Sequence, residues 1–125
     1  MTIVVILAII YQVGFNNNIH RTIDVKNVDK IELWGMSETR RYASQEELEN
    51  IVKWFNSVDN IRKNKEFAGI TPSSGIIIEL KRGTQILIIQ SGEDFEIQRD
   101  RLGRRVSYWA KQKELKVLLK ELAGN

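Results

Sequence analysis

The 125 residues contain no cysteine, one proline (Pro72) and one histidine (His20). Without cysteine there can be no disulfide, thiolate metal site, iron–sulfur cluster, cysteine nucleophile or lipid-modified cysteine anchor. A lone histidine excludes His-rich metal sites, and a Ser-His-Asp triad would need His20 to reach across the domain. There is no G-x-S-x-G elbow, no D-x-D-x-D-G calcium loop, and no phosphate or dinucleotide loop. The Gly69…Gly75 stretch runs into strand-like sequence, whereas those loops open a helix. The one acid/base option is the carboxylate cluster Glu79, Glu93, Asp94, Glu96 and Asp100, and acids in hairpins read more simply as a solvated face or a turn. The expectation is a protein that is not an enzyme, with no catalytic residue, metal or cofactor.

Hydrophobic residues make up 42% and charged residues 28%, which fits one ordinary globular domain. Residues 3–15 read IVVILAIIYQVGF, with Gln12 the strongest polar interruption and no charge. As a helix, thirteen residues span about 20 Å, short of the roughly 30 Å hydrocarbon core. That length suits a signal-peptide core, although no Lys or Arg precedes it and no small-x-small cleavage site closes it. A buried strand is the competing reading. The preferred division is a membrane-targeting or anchor segment over 1–19 and a single globular domain over 20–125, facing outward from the membrane.

The domain reads as α+β. Alternation at Ile23/Val25 and Ile31/Leu33 predicts short strands, and 40–43 a second short strand. Ser44-Gln45-Glu46-Glu47 forms a capping box. It opens a helix over 45–57 with Leu48, Ile51, Val52 and Phe55 on one face. Residues 60–75 read as a polar connector, with a turn or loop at Thr71-Pro72-Ser73-Ser74-Gly75. Four strand-like runs follow, at 76–81, 85–90, 95–99 and 105–109, joined by Gly-bearing links of the hairpin kind. A last helix, 111–123, carries Leu115, Leu118, Leu119 and Leu122, with Gly124 as its stop. The architecture predicted is an antiparallel sheet of five or six strands with two amphipathic helices packed on it. Residues 42–55 match residues 109–122 at five of fourteen positions, and each block follows a strand carrying Ile-Glu-Leu (31–33) or Phe-Glu-Ile (95–97). A β-β-α duplication is one explanation; the other is the general likeness of any two amphipathic helices.

Charge is uneven. Residues 99–125 hold eight cations and three carboxylates, a net of +5, while residues 1–98 hold eleven basic and thirteen acidic residues, a net of −2. The cluster Arg99, Arg101, Arg104 and Arg105, with Lys111 and Lys113, is the candidate anion-binding surface. Such a surface suits anionic lipid, an anionic wall polymer or nucleic acid, and the neighbouring Tyr108 and Trp109 would suit base stacking. A plain solvated hairpin tip is the bland alternative. Trp54, off the main stripe of its helix, reads as packed under the 60–75 connector or as a partner anchor.

Ile23-Asp24-Val25…Val28-Asp29-Lys30-Ile31-Glu32-Leu33, then Glu46-Glu47-Leu48…Ile51-Val52…Phe55-Asn56, Pro72-Ser73-Ser74-Gly75 and Gly92-Glu93-Asp94-Phe95-Glu96-Ile97 together resemble small exported or membrane-anchored domains of unknown function from Gram-positive bacteria (Firmicutes). The likeness spans about residues 20–123. It implies an extracytoplasmic location and an α+β fold, and brings no catalytic residues. Relatives of that kind often carry a lipobox cysteine or a longer anchor, and this chain has neither. The expected function is thus a non-enzymatic, membrane-associated binding or interaction domain. Alternatives are a nucleic-acid binder using the basic 99–116 region, and a small inhibitor or immunity-type protein that plugs a partner with its 60–75 loop.

Overall fold

Isoleucine-rich runs of β-branched residues favour extended backbone, and they form the centre of the sheet. The computed structural model describes residues 19–36, 40–63, 72–92, 94–101 and 103–124. The apolar segment at 3–15, read above as a membrane element, lies outside these. In chain order the elements are a 3-10 turn (Val25–Asn27), β1 (Val28–Gly35), β2 (Arg41–Tyr42), α1 (Gln45–Asn56), β3 (Asp59–Lys63), β4 (Ser74–Leu80), β5 (Gln85–Ser91), β6 (Asp94–Arg101), β7 (Arg104–Lys111) and α2 (Lys113–Ala123). The strands build one antiparallel sheet in the order β2-β1-β4-β5-β6-β7-β3.

The α+β class and the two helices agree with the sequence reading; the strand count does not. The sheet has seven strands. The addition is β3, which overlaps the start of the stretch read as a polar connector. It is an edge strand on β7 and exposes Asp59, Asn60, Arg62 and Lys63. With Ile61 alone turned partly inward, no apolar alternation marks it. Ser74 and Gly75, read as turn residues, open β4 instead. Ile23 and Val25 belong to no strand; the chain reaches β1 through the 3-10 turn, with the Asp24 carboxylate accepting from the Lys26 N–H at 3.0 Å.

Both helices lie on one face of the sheet. Strand alternation sends Ile31, Leu33, Ile76, Ile78, Ile86, Ile88, Phe95, Ile97, Tyr108 and Ala110 to that side, where each is buried against Leu48, Ile51, Val52 and Phe55 of α1 and Leu115, Leu119 and Leu122 of α2. Each buried Val, Leu, Ile or Phe side chain among them contributes about 1.5–3 kcal/mol by leaving water. The caps follow the sequence. The Ser44 hydroxyl accepts from the Glu47 N–H at 3.2 Å, and the Glu47 carboxylate accepts from the Ser44 N–H at 3.0 Å. Arg41 adds a two-pronged contact to Glu47 at 2.9 and 3.0 Å. Chiefly through that guanidinium, and then through the Ser44 N–H, the Glu47 carboxyl is lowered to about 2. Gly124 ends α2 at φ 92°, a left-handed conformation that suits glycine.

The opposite face carries no described helix. Trp34, Ile77, Leu87 and Ile89 are half-buried there. Gly75 makes room for the Trp34 ring, which a β-carbon at that position would meet at 2.5 Å. The paired strands preceding the two helices share a register. Glu32 faces Tyr42 and Leu33 faces Arg41; Glu96 faces Trp109 and Ile97 faces Tyr108.

Candidate functional site

β4 and β6 run in the same direction, so the turns that follow them lie at one end of the sheet. At that end a cleft of about 1110 Å³ opens on the helix-covered side. Its walls are the segment 21–25, the second half of α1, and the end of β4 with its turn. Among the described residues five cations line it, Arg21, Lys53, Lys81, Arg82 and Arg99, with Asp24 the only described carboxylate. Ile23, Val25, Val52 and Leu80 supply apolar wall.

Arg99 is the unusual member. Strand alternation puts it in phase with Phe95 and Ile97, so it points under the helices, and the residue is only 8% exposed. Its guanidinium carbon lies 5.4 Å from the centre of the Phe55 ring, a cation–π contact. Its Nη1 donates to the Arg21 carbonyl at 2.7 Å. The ion pairs among the described residues do not include it.

The segment forming the outer wall is held at three points. Asn56, at the end of α1, uses both ends of its side-chain amide on Ile23: Nδ2 donates to the carbonyl and Oδ1 accepts from the N–H, each at 2.8 Å. The Arg21 carbonyl accepts from Arg99. His20 is wedged between the Phe55 carbonyl, 2.8 Å from Nε2, and the Tyr108 hydroxyl, 2.7 Å from Nδ1. A carbonyl oxygen only accepts, so Nε2 carries the hydrogen, and Nδ1 of the neutral ring accepts a hydrogen bond from the Tyr108 hydroxyl. Burial lowers His20 to about 4, against the pull of the Phe55 carbonyl and with help from the Arg99 charge. The ring is therefore neutral at pH 7.

The cations singled out in the sequence separate in space. Arg104 and Arg105 are exposed on the β6–β7 hairpin, at the same sheet end as the cleft; the backbone of Arg101 pairs opposite Arg104 there. Arg105 has Asp100 at 3.7 Å. Lys111 ends β7 and Lys113 opens α2, about 23 Å from Arg104 along the strand rise. Among the singled-out cations whose side chains are described, only Arg99 enters the cleft. Tyr108 and Trp109 point to opposite faces, Tyr108 fully buried, so the two rings form no stacking platform. Trp54 is half-buried against the core.

Of the meander carboxylates, Glu93 lies outside the described residues, and the others have close partners: Glu79 has Lys30 at 3.7 Å, Asp94 has Arg62 at 2.8 Å, and Glu96 accepts from Ser107 and Gln98. Among the described residues no group of three or more His, Asp and Glu side chains could hold a metal ion. Among them, too, no helix is long and apolar enough to cross a membrane. The chain matches no protein-family model, and searches of curated proteins and of solved structures return no match.

Proposed function

We propose that this protein is a non-enzymatic binding domain, associated with the outer side of a membrane through residues 3–15, whose basic sheet end engages an anionic surface of lipid headgroups or wall polymer. The observation that carries the reading is the cleft: five cations and one carboxylate around a single opening. Arg104 and Arg105 add exposed positive charge at the same end. Focused charge of one sign raises the local concentration of opposite charge and speeds its capture.

The test is binding of the full chain to vesicles containing phosphatidylglycerol, with neutral phosphatidylcholine vesicles as reference. The triple change Lys53→Glu, Lys81→Glu and Arg82→Glu removes the preference for anionic vesicles; Arg104→Glu with Arg105→Glu weakens it less. The preference also shrinks as salt rises. Equal binding to both vesicle types would overturn the proposal. A nucleic-acid role draws on the same charge, but without a stacking pair at Tyr108 and Trp109.

The sheet also supports the duplication reading. With Glu32 set on Glu96 and Tyr42 on Trp109, both units pair the equivalent residues across the strands, and each hairpin leads into a capped helix. Even the contact beside the shared glutamate corresponds, Arg40 with Glu32 and Ser107 with Glu96.

A further inference from the structure

The floor of the cleft holds a guanidinium with donors to spare. Arginine has five N–H donors in a rigid fork and no acceptor. In Arg99 one of them meets the Arg21 carbonyl, a neutral group that leaves the charge unbalanced. Asp24 does not supply the balance. Its carboxylate accepts from the Lys26 N–H and stands 3.9 Å from the Lys26 ammonium. A charge taken out of water requires a partner of opposite sign, and four more cations line the same cleft.

Resting on the anionic-partner reading, we infer that Arg99 is the seat of a phosphate ester: its free N–H groups take two phosphoryl oxygens, while Lys53, Lys81 and Arg82 meet the remaining negative charge. Three features select this chemistry. The fork geometry matches two oxygens of one phosphoryl group. A lone carboxylate carries too little charge for five cations, whereas a phosphate monoester, or consecutive diesters, carries more. The cleft greatly exceeds a free phosphate ion, and its apolar wall of Ile23, Val25, Val52 and Leu80 gives the esterified part a surface to lie against. The same phosphoryl group occurs in lipid headgroups and in phosphate-linked wall polymers.

The seat is linked to stability, because an anion that binds only the folded state raises the melting temperature. The experiment is thermal unfolding of the full chain at pH 7 in sodium phosphate or glycerol 1-phosphate against sodium chloride of equal ionic strength. The expected result is a concentration-dependent upward shift in both phosphates and none in chloride. At one hundred times the dissociation constant, the folding equilibrium rises about 100-fold. Arg99→Met abolishes the shift. Arg99→Lys, which keeps the charge without the fork, retains a smaller one and stands in if the methionine variant fails to fold. An equal shift in chloride, or an undiminished shift in either variant, would overturn the seat. Competition by glycerol 1-phosphate for phosphatidylglycerol vesicles assigns the seat to the lipid headgroup. A shift without competition assigns it to a soluble or polymer-borne phosphate ester. Loss of vesicle preference with the phosphate shift intact overturns the surface reading alone.

Discussion

The two faces of the sheet treat charge differently. On the face without a described helix carboxylates and cations sit side by side: Lys30 with Glu79, Arg40 with Glu32, Arg62 with Asp94, Arg105 with Asp100. On the covered face the cleft gathers five cations around one carboxylate, and the most buried of them, Arg99, meets only a carbonyl and a ring. Cross-strand pairs balance one face from within. The other has no such balance among the described residues, and that contrast is the basis of the functional reading.

The largest expected effect tests which face holds the fold. Phe55→Ala, in the covered core, costs about 3–5 kcal/mol in urea unfolding. Leu87→Ala, half-buried on the open face, costs clearly less; equal losses would mean the open face is packed as tightly as the covered one. Next comes pH. The folded-state pKa of His20 lies at about 4, below its ordinary 6.5. The neutral ring therefore contributes stability that is fully present above pH 6.5 and lost as pH falls towards 4, on the order of 3 kcal/mol. His20→Gln flattens that part of the pH profile of unfolding, and a profile unchanged by the substitution would remove His20 as an anchor of the cleft's outer wall.

A β-carbon at Gly35 would lie 2.1 Å from the Leu122 carbonyl oxygen, and one at Gly75 would lie 2.5 Å from the Trp34 ring. Such crowding costs roughly 1–3 kcal/mol. Gly35→Ala is the worse of the two in thermal unfolding, because a helix backbone yields less readily than a ring on an open face. The smallest effects differ in sign. Arg62→Ala removes an exposed pair with Asp94 and lowers stability by at most about 1 kcal/mol. Lys81→Glu, measured without added anion, raises it slightly by relieving repulsion in the cleft. A loss at Lys81 matching that at Arg62 would put the cleft on the same footing as the open face.

Much of the fold is legible in the sequence because local signals agree with the tertiary outcome. The Ser44–Glu47 box, the apolar stripes of both helices and Gly124 all mark elements that form where the pattern places them. β3 escapes notice because an exposed edge strand needs no apolar alternation, and the Val25–Asn27 turn escapes because Ile23 and Val25 mimic a strand. The cleft is harder to read. Its cations come from four separate stretches of chain, around positions 21, 53, 81–82 and 99, so the linear cluster at 99–105 hides the spatial one. One clue was available: Phe95, Ile97 and Arg99 share a strand phase, which predicts an arginine turned into the core. The two-point hold of Asn56 on Ile23 leaves no trace in composition or spacing.

The most direct test of the account compares two double variants with the same change in net charge, Lys81→Glu with Arg82→Glu at the cleft and Arg40→Glu with Arg62→Glu on the open face, for binding to phosphatidylglycerol vesicles. Each basic residue near an anionic membrane is worth about 1 kcal/mol, so the cleft pair weakens binding by roughly 30-fold or more, while the open-face pair leaves it close to that of the unaltered protein. Equal losses in the two variants would show that overall charge, rather than the cleft, governs binding, and would contradict the account.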